Sequence, residues 1–230
     1  MSASGQQDEF KRAAAARAVE EIHDGMIVGL GSGSTAEFAV EALAARVVKG
    51  LRVEGIPTSE RTAALARRLG VPLTDFAAHR RIDITIDGAD QVERGTLNLI
   101  KGLGGALLRE KIVATASARM IVVVDASKLV DRLGGAVPLP VEIVSFGWEA
   151  VLASLASAAC APRLRHVDSR PFVTDNANYI ADCAITDIAD AAALNVRLKT
   201  IAGVVETGLF IALASQVFVG RAGGVDVFSR

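Results

Sequence analysis

Two segments of this chain hold carboxylates where a proton could be moved under control. The first is Lys101-Gly102-Leu103-Gly104-Gly105-Ala106-Leu107-Leu108-Arg109-Glu110-Lys111. Read as a helix at about 3.6 residues per turn, it sets Glu110 between Ala106 and Ala114, on a face that also holds Leu103 and Val113. Leu107, Leu108 and Ile112 cover much of the remainder. Desolvating a lone carboxylate is costly and favours its neutral form, which suits a base that works near neutral pH. A salt bridge to Lys111, Lys101 or another buried cation is the structural alternative. The glycine loop ahead of the helix, with Lys101 at its start, favours chemistry. The second segment is Asp87-Gly88-Ala89-Asp90, two carboxylates three residues apart across a turn. They could handle protons or hold ligand hydroxyls, and a metal pair is conceivable. An Asx-type cap beside a solvated aspartate is the plainer reading.

Gly29-Leu30-Gly31-Ser32-Gly33-Ser34-Thr35 has the composition of a strand–turn–helix crossing. Glycines there let the backbone approach a ligand, and helix-start N–H groups with the hydroxyls of Ser32, Ser34 and Thr35 can hold a phosphate. The dinucleotide fingerprint fails because Ser34 stands at its third glycine, and the lysine of a P-loop is missing. A turn capped by Ser and Thr is the alternative. Lys128, in Asp125-Ala126-Ser127-Lys128, could add positive charge for a phosphate or be a surface lysine, and Lys11 has the same two readings. His23, His79 and His166 share no metal or triad spacing, and Tyr179 and Trp148 read as core residues.

These groups need strands and helices to position them. The 230 residues are 51% hydrophobic and 22% charged, enough to bury a large core. Aromatics make up only 4%, as expected where helices of small aliphatic residues cover a buried parallel sheet. Apolar β-branched runs at 26–30, 51–56, 82–87 and 120–125 alternate with helical patterns at 8–23, 35–48, 58–69 and 102–118, with a short extended piece at 97–100. That alternation predicts a Rossmann-like α/β core, a parallel sheet with helices on both faces. Past Gly134-Gly135 the order becomes strand 141–146, helix 148–159, strands 163–167 and 179–184, helix 188–199, which fits a smaller α+β, ferredoxin-like domain. The β-rich tail from Leu209 should rejoin the first domain. The expected division is a core of 1–134 and 206–230 with an insert of 135–205.

Formal net charge is −1, from 25 Lys+Arg against 26 Asp+Glu, so no polyanion is implied and a nucleic-acid partner is not expected. Charges break the N-terminal helix, and the run from Leu209 to Val219 is too short to span a bilayer, so no signal peptide and no membrane partner are expected. Cys160 and Cys183 form no CxxC pair, which predicts reduced thiols in a cytoplasmic protein and no zinc site.

Four motifs in this order, Gly31-Ser32-Gly33-Ser34-Thr35, Asp87-Gly88-Ala89-Asp90, the Lys101–Lys111 segment and Asp125-Ala126-Ser127-Lys128, resemble ribose-5-phosphate isomerase of the A type. Segments 57–60, 138–142, 172–176 and 203–209 extend the likeness over nearly the whole chain. The resemblance implies interconversion of ribose 5-phosphate and ribulose 5-phosphate in the non-oxidative pentose phosphate pathway, with no cofactor or metal. It implies Glu110 as proton acceptor and Lys101 as oxyanion donor, with Asp87 and Asp90 catalytic or holding hydroxyls. Ser32, Gly33, Ser34 and Thr35 would take the phosphate with Lys128 and Lys11. Asp87, Gly88, Ala89, Asp90, Lys101, Gly102, Leu103 and Gly104 would line the sugar. A homodimer or homotetramer is implied too. The chain departs from the family pattern at Gln91, where Glu is usual, at Leu103 in a glycine run, and at Ala177 within Asn176-Ala177-Asn178. Two rivals are a sugar-phosphate effector domain, which would need a helix-turn-helix, and a coenzyme A transferase or amino-sugar deaminase on a related fold. The failed glycine fingerprint weighs further against an NAD-linked enzyme.

Overall fold

The computed structural model describes residues 3–158 and 160–230. The first part of the chain runs α1 (Ala3–Val19), β1 (Ile27–Leu30), α2 (Ser34–Val48), β2 (Glu54–Pro57), α3 (Glu60–Arg68) and β3 (Ile82–Asp87). Short strands β4 (Gln91–Glu93) and β5 (Leu99–Ile100) precede α4 (Leu107–Thr115) and β6 (Ser117–Asp125). A 3-10 turn (Ala126–Lys128) leads to β7 (Leu129–Val130) and β8 (Leu139–Ile143). Then come α5 (Trp148–Ser157), β9 (Ala161–Leu164), β10 (His166–Val167), β11 (Arg170–Pro171), β12 (Tyr179–Ala184) and α6 (Ala191–Lys199). The chain closes with β13 (Val204–Thr207), β14 (Leu209–Phe210), β15 (Gln216–Arg221) and β16 (Gly224–Ser229).

Two compact units result. One comprises Met1–Ala89, Arg109–Leu129 and Ala212–Arg230, the other Asp90–Leu108 and Val130–Ile211. The sequence reading puts residues 90–108, 130–134 and 206–211 in the core. In the fold all three segments belong to the second unit, where β4 and β5 pair with each other and β5 with β14. Only pairing partners distant in sequence decide this, so a break in local texture at Gly134 does not mark it.

The first unit holds a six-stranded sheet of order β16-β15-β6-β3-β1-β2. All neighbours are parallel except the terminal pair β15–β16. β6 buries every residue from Met120 to Asp125, as a strand covered on both faces must. On one face Ala14, Ala15 and Ala18 of α1 pack with Val40 and Leu43 of α2 against Ile121, Val123 and Phe218. Small residues let α1 lie so close that a Cβ on Gly220 of β15 would fall 1.9 Å from the Phe10 carbonyl oxygen. On the other face Val113 of α4 packs with Ile56 and Ile82.

The second unit pairs four antiparallel strands in the order β13-β8-β12-β9. With α5 and α6 in the crossovers, this is the ferredoxin-like arrangement the sequence reading expects. Its core is built on Leu139, Val141, Ile143, Leu155 and Leu198, with the free thiols Cys160 and Cys183 buried in it. A second small sheet has the order β14-β5-β4-β7.

Candidate active site

In the first unit β2, β1, β3 and β6 run parallel, so their carboxyl ends share one edge, the usual place for a ligand in an open α/β sheet. β1 ends at Gly31, where a Cβ would lie 2.2 Å from Asp87 Oδ1 and 2.6 Å from the Asp87 Cα. Glycine is therefore required for the two strand ends to meet. The Asp87 carboxylate, fully buried at the end of β3, accepts from the N–H groups of Ser32 (3.1 Å) and Gly88 (2.7 Å). Gly33, at φ 94°, turns the chain into α2, which starts at Ser34 and Thr35. Thr35 lies beside Gly88, 3.5 Å from where a Cβ would stand there.

Ser32 is braced by hydroxyls of the next strand end and helix start. Its Oγ lies 2.7 Å from Thr58 Oγ1, 2.7 Å from Ser59 Oγ and 3.2 Å from Thr62 Oγ1. Thr58 and Thr62 also donate to the carbonyls of Leu30 and Gly31. Ser59 also caps α3, accepting from Thr62 N. The motif at 57–60 thus fixes the glycine turn of the neighbouring strand as well.

At the end of β6 the buried Asp125 accepts from Ser127 N at 2.9 Å and shapes the 3-10 turn that carries Lys128, which is half-buried. Lys11 reaches the same edge. Its neighbour Phe10 packs on Gly220, whose register partner in β6 is Asp125. The Lys11 ammonium lies 3.2 Å from Asp8 on its own helix.

Glu110 sits in the first turn of α4 and is only 4% exposed. Helix N–H groups favour a carboxylate at that position. The helix must return to the amino end of the sheet before β6 begins at Ser117, so it runs against β1. A Cβ on Gly29 would meet the Thr85 hydroxyl at 1.9 Å and, from α4, Val113 at 2.6 Å. Glu110, three residues earlier, lies about 4.5 Å closer to the carboxyl edge. Arg109 beside it pairs with Glu60 at 2.9 Å, and that guanidinium holds the Glu60 carboxyl below the usual carboxylate range. Thus Ser32, Gly33, Ser34, Thr35, Asp87, Gly88, Ala89, Glu110, Lys128 and Lys11 all belong to one unit.

Asp90, Lys101, Gly102, Leu103 and Gly104 belong to the other. Lys101 is 3% exposed, its N–H donates to the Gly208 carbonyl (2.9 Å), and its ammonium stands 5.5 Å from the Phe210 ring centre. Asp90 accepts from Leu103 N at 2.9 Å through Oδ2, so this carboxylate shapes the glycine loop. Gly102 and Gly105 take φ values of 107° and 83°, and Gly105 N donates to Gly102 O. That turn delays α4 to Leu107. Leu103, the departure in the glycine run, is 41% exposed. Gln91, the second departure, grips one residue: its amide donates to Gly134 O and accepts from Gly134 N, both at 2.8 Å. A carboxylate could not make both bonds. Ala177, the third, carries φ 61° where glycine would be unstrained.

The histidines lie elsewhere, His23 and His166 exposed and His79 beside Glu54 at 3.1 Å. Among the described residues no three of His, Cys, Asp and Glu are grouped so as to hold a metal ion, and no helix is long and apolar enough to cross a membrane.

The family model for ribose 5-phosphate isomerase A (phosphoriboisomerase A) matches residues 54–224. The chain belongs to that family. A ribose-5-phosphate isomerase A from Gloeobacter violaceus is 54% identical over 222 residues, covering 96% of each chain. The solved structure of ribose 5-phosphate isomerase A from Methanocaldococcus jannaschii superposes with a TM-score of 0.92 at 38% identity, over 96% of this chain and 99% of that one. A D-ribose-5-phosphate isomerase in complex with phospho-erythronic acid gives 0.93 at 36% identity, over 97% and 99%. None of the three departures of this phosphoriboisomerase A falls on Glu110, Lys101, Asp87 or Asp90.

Proposed function

We propose that Glu110 is the base with which this chain, a ribose 5-phosphate isomerase, carries a proton between neighbouring carbons of its substrate. Removing the C2 proton of the open-chain aldose leaves an enediolate with charge on O1. Returning a proton to C1, while the O2 hydroxyl passes its own to O1 as C2 becomes the carbonyl, yields ribulose 5-phosphate. Lys101 supplies the positive donor for the developing oxyanion. Asp87 through Asp90 and Lys101 through Gly104 line the sugar, and Asp87 or Asp90 assists ring opening or holds hydroxyls. Ser32, Gly33, Ser34 and Thr35 take the phosphate with Lys128 and Lys11. The observation that carries this reading is a carboxylate buried in the first turn of α4, three residues before the Val113 that lies beside Gly29. The relative solved with phospho-erythronic acid supports a phosphorylated, hydroxylated ligand. A cytoplasmic location and a homodimer or homotetramer belong to the same proposal, supported by the family likeness alone.

The chemistry above needs no metal. Ribulose 5-phosphate formation from ribose 5-phosphate should proceed at full rate in EDTA; complete loss that zinc or magnesium reverses overturns this. Lys128→Ala and Thr35→Ala should each raise KM by roughly tenfold with kcat little changed, because phosphate contacts exist in both ground and transition states. Steady-state kinetics decide this, and a collapsed kcat at unchanged KM would mean the roles are wrong.

A further inference from the structure

Lys101 sits at the start of a loop with two positive-φ glycines, and such a loop has little stiffness of its own. Asp90 holds one side of it through Leu103 N, and further support lies on the β13-β8-β12-β9 sheet of the same unit. Arg165, just past β9, donates through Nη1 to the carbonyls of Gly102 and Leu103, both at 3.0 Å. Its Nε donates to Asp182 Oδ2 of β12 at 2.8 Å, and Nη2 binds the other carboxylate oxygen. Four of the five guanidinium protons are thereby committed, and the side chain is 13% exposed. A fork so occupied is not a phosphate ligand. Phe172, whose N–H donates to Arg165 O, completes the support: its ring fills the space a Cβ on Gly105 would take, 2.4 Å away, and lies 5.7 Å from the guanidinium carbon.

We infer that Arg165, oriented by Asp182, is a positioning residue that sets the Lys101 loop for turnover by fixing the carbonyls of Gly102 and Leu103. This rests on the reading of Lys101 as the oxyanion donor. Displacing a catalytic group by about 1 Å can cost about 10²-fold in rate. The planar fork can serve a carboxylate and two carbonyls together, whereas an ammonium, a single point, cannot.

The test is Arg165→Lys, which keeps the charge facing Asp182 and so keeps the fold, measured with Lys101→Ala and the double variant. Melting temperature, KM and kcat are read for each, and guanidinium ion is added to Arg165→Ala as a rescue. The expected result is a folded Arg165→Lys protein with kcat down at least tenfold and KM within about threefold. The double variant should be no slower than Lys101→Ala alone, and guanidinium should restore part of the Arg165→Ala rate. If Lys101→Ala is inactive while Arg165→Lys turns over at the wild-type rate, the inference falls and the donor reading stands. Losses that multiply in the double variant also overturn it, because Arg165 would then act independently of Lys101. If Lys101→Ala turns over normally, the donor reading fails and the inference goes with it.

Discussion

Glu110→Gln should abolish isomerisation while leaving the fold and ribose 5-phosphate binding largely intact. Glutamine keeps the shape of the side chain in the first turn of α4 but cannot accept a proton. A positioned base typically contributes about 10²- to 10⁴-fold, so kcat should fall by that amount with little change in substrate affinity. Were Glu110 instead the partner of a buried cation, neutralising it would remove about 3–5 kcal/mol of stability. The two roles separate on different axes, rate against melting temperature. A destabilised protein that still turns over at near-normal kcat would mean that Glu110 is structural and that the proton is carried elsewhere.

Gly220→Ala should lower the melting temperature by roughly 10 °C. The new methyl would fall 1.9 Å from the Phe10 carbonyl oxygen and 2.5 Å from its carbon. Both are backbone atoms, which no rotamer change can move aside. Overpacking of this kind costs about 3 kcal/mol, and a chain of this size loses roughly 2–4 °C per kcal/mol. The cheapest relief is for α1 to lift off β15, which takes Lys11 with it, so KM should rise as well. Calorimetry and kinetics on the one variant check both parts, and an unchanged melting temperature would show that α1 does not pack there as described.

β3 and β12 occupy the residues their sequence pattern predicts, 82–87 and 179–184. β-branched and apolar residues bounded by turn signals mark a strand locally. Elements set by distant partners were less legible. The strand expected at 51–56 lies at Glu54–Pro57 because Leu51 N still closes α2 onto Arg46 O and Arg52 N donates to Asp24. β8 begins at Leu139, ahead of the expected 141, and runs through Pro140. Proline fits because β13 pairs only with Val141–Ile143, so no partner on that side asks Pro140 for an N–H, and its carbonyl accepts from Gly208 N. The site divides the same way. Motif spacing marks Glu110, Asp87 and the glycine turn, since glycines and paired carboxylates stand out in a sequence. Arg165 and the hydroxyls of Thr58 and Thr62 are missed because their partners lie tens of residues away and nothing in linear spacing brings them together.

α1 is the first element of the chain and rests on β15, nearly the last, while β15 in turn covers the edge of β6. On the ribosome this order has a consequence. α1, β1, β3 and β6 emerge well before the strand that α1 lies on, so Val122 and Val124 of β6 remain at an open sheet edge until β15 has emerged. A contact joining Phe10 to Gly220 also closes almost the whole chain into one loop, which slows folding. The nascent protein therefore passes through a stage with an unpaired, strongly apolar strand, and it is during translation, more than after it, that this chain is exposed to aggregation.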